Sequence, residues 1–108
     1  MKAPSRQASP DPGTTSAELM ESASEAAAEL LKAMANPQRL RVLCLLVERE
    51  MSVGEINALV PLSQSALSQH LAVLREKNLV ATRREAQTVF YSVADGTAHD
   101  VIEVLHRN

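Results

Sequence analysis

Residues 62–71 read LSQSALSQHL, and this stretch decides the fold. Its leucines recur at helical spacing and Ser63 precedes them as an N-cap, which predicts a helix over about residues 64–77. The first turns of this helix also carry a cluster of polar side chains on the other side: Ser63, Gln64, Ser65, Ser68 and Gln69. Such a helix packs one face against a core and leaves the other to contact a ligand.

The neighbouring segments indicate what kind of domain holds this helix. Before it, Ser52 and Glu55 form a capping box for a short helix that Pro61 ends. After Asn78, the period of the pattern changes from 3.6 to 2, which predicts two strands joined by a loop around residues 85–87. Two short helices, a tight turn and a hairpin predict a winged helix-turn-helix. In that fold the second helix enters the major groove of DNA and the hairpin lies on the adjacent backbone.

The rest of the chain is predicted to be helical. A capping box at Thr15 begins a helix over about residues 17–34, and Asn36-Pro37 begins another that runs to about residue 49. Asp95 is expected to cap a last helix. The predicted fold class is therefore mainly α with a β-hairpin wing, in the order α-α-α-α-β-β-α.

Composition bounds the size and setting of the domain. The chain has 108 residues, enough for one domain, and its 2% aromatic content requires an aliphatic core. Residues 1–14 are rich in proline and serine and are predicted to be a disordered tail, with one folded domain over residues 15–108. The sequence shows neither an apolar run that could span a bilayer nor a signal-peptide core, so we expect a cytoplasmic protein.

The charges divide along the chain although the net charge is -2. Residues 63–93 hold four basic and two acidic side chains, whereas residues 17–62 hold four basic and seven acidic ones. The basic surplus thus falls on the polar helix and the hairpin, where it predicts DNA contacts by Arg75, Arg83, Arg84 and the hairpin-tip residue Gln87. Glutamine pairs well with adenine and the helix offers no arginine to guanine, so we hypothesise an operator rich in A·T pairs.

Other classes of function find less support. The sequence has no glycine-rich phosphate loop, no nucleophile and base with supporting motifs, and no paired carboxylates, so it is not predicted to be an enzyme and no cofactor is expected. The competing interpretation is a protein-interaction module, in which a helical dimer holds another protein without binding DNA specifically.

Three stretches resemble the ArsR/SmtB family of bacterial winged-helix regulators: residues 32–40 (KAMANPQRL), 62–71 (LSQSALSQHL) and 87–91 (QTVFY). Residues 42–46 (VLCLL) and 85–88 (EAQT) are most similar to the branch of haemolysin-expression regulators and biofilm-growth and sulfide-responsive repressors. The resemblance implies a homodimer formed by the first and last helices, whose two winged helix-turn-helix units bind the two halves of a palindromic operator. It also implies a repressor or anti-silencer of transcription.

Metal sensing is a family trait that the residues do not support. The family's thiolate site would need cysteines beside Val53, and the chain has Ser52 and Gly54 there. The family's interhelical site would need a histidine at Thr97. A different array remains, because His99, Glu103 and His106 follow one helical stripe, although a solvated face explains that pattern as well. His70, which shares the stripe of the leucines, is interpreted as a packed residue or a phosphate donor.

Cys44 is the one cysteine, so a disulfide or a thiolate zinc cluster within one chain is excluded. In the sulfur-responsive relatives, the matching cysteine works with a second one in the last helix. We therefore expect that the dithiol switch is lost, or that the native chain continues past Asn108. Cys44 alone is a candidate redox or persulfide sensor, and its apolar neighbours favour the alternative of an inert buried thiol.

Overall fold

The computed structural model describes residues 15–107. The predicted tail over residues 1–14 and the terminal Asn108 lie outside the described residues. Five helices and three strands follow one another along residues 15–107: α1 (Ser16–Met34), α2 (Pro37–Glu48), β1 (Met51–Ser52), α3 (Val53–Leu59), α4 (Gln64–Glu76), β2 (Val80–Glu85), β3 (Thr88–Val93) and α5 (Thr97–Arg107).

Side-chain caps fix where the first four helices begin, as the sequence predicts. Thr15 and Ser52 form complete capping boxes ahead of α1 and α3, with hydrogen bonds of 2.8–3.2 Å. Asn36 accepts hydrogen bonds from two amides at the start of α2, and the Ser63 hydroxyl accepts one from the Ala66 amide in α4. These bonds satisfy amides that have no partner within the helix.

The start of α5 corrects one prediction. The helix begins at Thr97, and the amide of Asp100 donates to the carbonyl of Gly96 at 3.2 Å. Gly96, and not Asp95, therefore occupies the cap position. Its φ of 120° explains the difference, because glycine adopts this conformation without the steric cost that a Cβ atom brings.

The three strands form an antiparallel sheet in the order β1-β3-β2. β1 was not predicted, since two residues are too few to show an alternating pattern. Met51 pairs with Tyr91 and Ser52 with Phe90, so β1 joins the segment before α3 directly to the hairpin. Strand β2 extends through Glu85, which leaves a hairpin turn of two residues and narrows the predicted loop.

The core is aliphatic, as the composition predicts. It lies where α2, α3, α4 and α5 meet the sheet, and its fully buried side chains include Leu43, Ile56, Leu67, Leu74, Leu79 and Ile102. The C-terminal end of α1 adds Ala33 and Met34, while most of that helix is exposed. The radius of gyration is 17.2 Å, against about 13 Å for a compact domain of this size. Helix α1 therefore extends beyond the body of the domain.

The hairpin turn carries backbone strain. Ala86 has a φ of 57°, a left-handed conformation that β-hairpin turns normally give to glycine or asparagine. We expect Ala86→Gly to raise the free energy of unfolding by about 1 kcal/mol, because it removes this strain. Ala81→Gly, at an exposed position in the same hairpin but inside β2, should instead lower it by about 0.5–1 kcal/mol. Urea denaturation of both variants checks this, and a loss of stability in Ala86→Gly would contradict it.

Candidate nucleic-acid interface

The turn between α3 and α4 is held by a side chain and by buried contacts. Asn57 Nδ2 donates to the Leu62 carbonyl at 2.8 Å, and the Leu62 amide donates to the Val60 carbonyl at 2.8 Å. Ile56 of α3 and Leu67 of α4 are fully buried beneath the turn. The two helices therefore form one rigid unit, which is what a helix-turn-helix needs to present its second helix to DNA.

The predicted polar cluster lies together on the first turns of α4. All five side chains are exposed: Ser63, Gln64, Ser65, Ser68 and Gln69. On the other side of the helix, Leu67, Leu71 and Leu74 are buried. The Ser63 hydroxyl accepts from the Ala66 amide at 3.1 Å, and its oxygen lies 3.4 Å from the hydroxyl oxygen of Ser65. The positive end of the helix dipole also lies at this start, where it favours contact with an anion such as a phosphate.

Two further predicted residues of α4 lie away from this cluster. His70 is half-buried, and its Nδ1 lies 3.5 Å from Arg39 Nη1 of α2. Arg75 is exposed in the last turn, about 16 Å along the helix axis from Gln64. His70 thus faces the neighbouring helix, and Arg75 lies near the opposite end of α4 from the exposed glutamines and serines.

The wing, meaning strands β2 and β3 with their turn, carries the other predicted residues. Gln87 is exposed at its tip, and Arg84 is exposed near the end of β2. Arg83 makes a bidentate contact with Glu50, with nitrogen-to-oxygen distances of 2.7–3.0 Å. The hydrogen bonds with the Glu50 carboxylate raise the pKa of Arg83 above its ordinary value, because they stabilise the charged guanidinium. Arg83 and Arg84, adjacent in sequence, therefore differ in their surroundings.

Cys44 lies half-buried on α2, among core residues. Burial raises the pKa of its thiol, and the charge of Glu48, one turn along the helix, raises it further. Since the thiolate is the reactive form, both effects lower the reactivity of Cys44 at neutral pH.

The candidate metal array is only partly assembled. His99 Nδ1 lies 3.9 Å from Glu103 Oε1 and 4.0 Å from Asp100 Oδ1, which places these three residues in one group. His106 instead contacts Glu48 of α2, at 2.8 Å from Nε2 to Oε2. Asp100 was not predicted. The three predicted residues therefore do not meet at one point on α5.

An exposed apolar surface runs along α1 and α5. It includes Leu19, Met20, Leu31 and Leu105, whose exposed fractions are 44–71%. An apolar groove of about 470 Å³ lies between the two helices, lined by Leu31 and Ala27 of α1 and Val101 of α5, among others. We name the exposed apolar residues and the residues that line the groove the α1–α5 surface.

Within residues 15–107, no helix is long and apolar enough to span a bilayer.

Three residues that organise these sites were not predicted from the sequence. Asn57 holds the turn, Glu50 binds Arg83, and Glu48 contacts His106 and raises the pKa of Cys44. The pairs Glu50–Arg83 and Glu48–His106 are separated by 33 and 58 positions in the chain, and no local pattern signals them. Only the position of Glu48 four residues after Cys44, on one helical face, could have been noticed.

A rigid helix-turn-helix followed by a β-hairpin defines the winged helix class of DNA-binding proteins. The solved structure of HlyU from Vibrio cholerae N16961 confirms this fold class, with a TM-score of 0.78 at 57% sequence identity, over 82% of this chain and 96% of that one. In sequence, the chain is 57% identical over 88 residues to the transcriptional activator HlyU of Vibrio cholerae serotype O1, a match covering 82% of each protein. It is 46% identical over 87 residues to the biofilm growth-associated repressor of Agrobacterium fabrum, covering 81% of this chain and 74% of that protein.

Residues 36–82 match the family described as "Bacterial regulatory protein, arsR family". The chain belongs to the arsR family of bacterial regulatory proteins. It is therefore a DNA-binding regulator of transcription and not an enzyme, as the sequence predicts.

Proposed function

We propose that this regulator is a homodimer that binds a palindromic operator, with α4 in the major groove and the wing on the adjacent backbone or minor groove. One observation carries the proposal: the exposed serines and glutamines at the start of α4 lie on a helix whose opposite face is locked into the core. Base edges in the major groove are read by such side chains on a rigid helix.

Each predicted residue has a proposed part in this complex. Gln64, Ser65, Ser68 and Gln69 contact base edges, and Ser63 contacts a phosphate beside the helix start. Gln87 and Arg84 of the wing contact the backbone at the edge of the site. Arg75 contributes positive charge at a distance, and His70 supports the helix through Arg39.

The α1–α5 surface supports the homodimer. A helix of 19 residues with few buried side chains gains little from packing within its own chain. Its leucines and alanines, together with α5, form an apolar face of the kind that marks a protein interface. We propose that a second copy of the chain covers this face, which would set two α4 helices on the two halves of the operator.

An electrophoretic shift assay against promoter fragments tests the proposal. We expect a complex that survives an excess of unrelated DNA and weakens as salt rises, because phosphate contacts release counterions. Footprinting should show two protected segments about one helical turn apart. Failure to bind any promoter fragment specifically, with the dimer intact, would favour the protein-interaction module. We propose that the bound dimer acts by occupying promoter DNA, which excludes polymerase or displaces a silencing protein.

Thiol sensing at Cys44 is not required by this proposal. Because the pKa of Cys44 is raised, we expect the thiol to be alkylated by iodoacetamide more slowly at pH 7 than free cysteine. Glu48→Gln should speed alkylation, since it removes a charge that disfavours the thiolate. Polysulfide should leave operator affinity unchanged.

Two results would contradict this expectation for Cys44. One is alkylation as fast as that of free cysteine. The other is a loss of operator affinity on polysulfide treatment that Cys44→Ser prevents, which would establish Cys44 as a sensor. Glu76→Gln is the control for Glu48→Gln, because it changes the net charge equally from a position on α4.

A further inference from the structure

A bidentate side-chain contact joins the wing to the segment that precedes the helix-turn-helix. Arg83 Nε lies 2.9 and 3.0 Å from the two carboxylate oxygens of Glu50, and Nη2 lies 2.7 Å from Oε1. Its guanidinium carbon is 4.8 Å from the centre of the Phe90 ring. Glu85, on the same strand, approaches Nη1 at 3.6 Å. The guanidinium group is therefore oriented by a bidentate carboxylate and by an aromatic face at once.

This contact crosses the sheet. Arg83 is on β2 and pairs with Phe90 on the central strand, which in turn pairs with Ser52 of β1. Glu50 immediately precedes β1, and Ser52 caps α3. The guanidinium of Arg83 thus reaches over Phe90 to the segment from which the helix-turn-helix begins. β1 has only two residues, so its own backbone pairing fixes the wing weakly.

The two wing arginines lie on opposite faces of the hairpin. Successive residues of a strand alternate between faces, so Arg83 shares its face with Phe90 and Glu50. Arg84 pairs with Val89 and shares its face with Val80, which is buried in the core that α4 also enters. Among residues 15–107, no ion pair involves Arg84.

We infer that Glu50 and Arg83 form a clamp that sets the angle of the wing, and that Arg84 is the wing arginine that binds a DNA phosphate. This inference rests on the proposed DNA-binding function and assigns Arg83 a positioning role instead of a phosphate contact. Glu50 belongs to the clamp, since its carboxylate supplies both acceptors. The clamp holds the wing at a fixed angle to α3 and α4, which brings Arg84 to the backbone when α4 is in the groove.

The clamp is tested first on the free protein. In a ¹H–¹⁵N NMR spectrum, the Nε–H signal of Arg83 should be shifted and protected from exchange by its carboxylate partner. Glu50→Gln should return that signal to the position of solvent-exposed arginines. Glu76→Gln should leave it in place, because Glu76 enters none of the ion pairs described for residues 15–107. An Arg83 signal that already resembles exposed arginines in the wild-type protein would overturn the clamp.

The separate roles of Arg83 and Arg84 are tested on DNA, with operator affinity measured over a range of salt concentrations. Arg84→Gln should weaken binding about tenfold and reduce the slope of log K against log salt by about 0.9, the value for one phosphate. Arg83→Lys and Glu50→Gln should each weaken binding roughly threefold without changing the slope, since lysine keeps the charge but cannot bind a carboxylate through two nitrogens. The double variant that combines Glu50→Gln with Arg83→Lys should bind DNA no more weakly than either of these single variants.

Other outcomes overturn the inference in distinct ways. If Glu50 only competed with phosphate for Arg83, Glu50→Gln would tighten binding and steepen the salt slope beyond the effect of Glu76→Gln. If Arg83 bound phosphate itself, Arg83→Lys would bind as the wild type does and Arg83→Gln would reduce the slope. Failure of the wild-type protein to bind any operator would refute the proposed function alone, because the NMR test of the clamp needs no DNA.

Discussion

Replacing Gln64 and Ser68 by alanine is expected to weaken operator binding on the order of 100-fold while binding to unrelated DNA persists. The two residues lie four positions apart and are exposed on the first turns of α4. A bidentate glutamine contact discriminates between bases by about 1–3 kcal/mol, and the serine contact adds to it. Phosphate contacts, which do not depend on sequence, are left intact by this change.

The choice of residues makes this test specific to recognition. Alanine favours helix formation, and neither Gln64 nor Ser68 is buried, so thermal unfolding and the oligomeric state should be unchanged. Ser63→Ala is the informative contrast, because Ser63 caps α4 and its loss should lower stability by about 1 kcal/mol. If the double variant bound the operator as tightly as the wild type, α4 would not be the recognition helix. An equal loss on unrelated DNA would point to a role in phosphate binding.

Most of the fold follows from local signals in the sequence. The caps at Thr15, Asn36, Ser52 and Ser63 each satisfy amides of the helix that directly follows, so residue type and spacing are enough to predict them. Asn78, just after α4, has a φ of 61°, a left-handed conformation that asparagine adopts more readily than most residues at the end of a helix. These interactions lie within a few residues of one another, where a sequence pattern is most informative.

The parts that were not predicted depend on contacts between distant segments. β1 exists because Met51 and Ser52 meet β3, and two residues in isolation have no tendency to form a strand. Arg83 looked like a phosphate ligand because it is basic and lies beside Arg84. Which of the two guanidinium groups is bound by a carboxylate depends on the pleat of β2 and on Glu50, which is distant in sequence. The exposure of the polar residues on α4 could thus be predicted from the sequence, but the different surroundings of Arg83 and Arg84 could not.

Leu31→Glu is expected to convert the proposed dimer into monomers and to weaken operator binding on the order of 100-fold. Leu31 is 53% exposed on α1 and lines the groove between α1 and α5. A carboxylate there would be buried against the partner without a counter-charge, which is a large penalty. Monomers would then bind each half of the operator separately and lose the gain in effective concentration that linkage provides.

Leu59→Glu is the matched control, since Leu59 is 56% exposed and lies on α3, outside the α1–α5 surface. It introduces the same charge at an equally exposed leucine and should leave the oligomeric state unchanged in sedimentation velocity. Leu105→Glu, on α5, should reproduce the effect of Leu31→Glu, because the proposed interface uses both helices. A dimer that persists in both variants would place the contact between subunits elsewhere. The exposed leucines of α1 would then need a different partner.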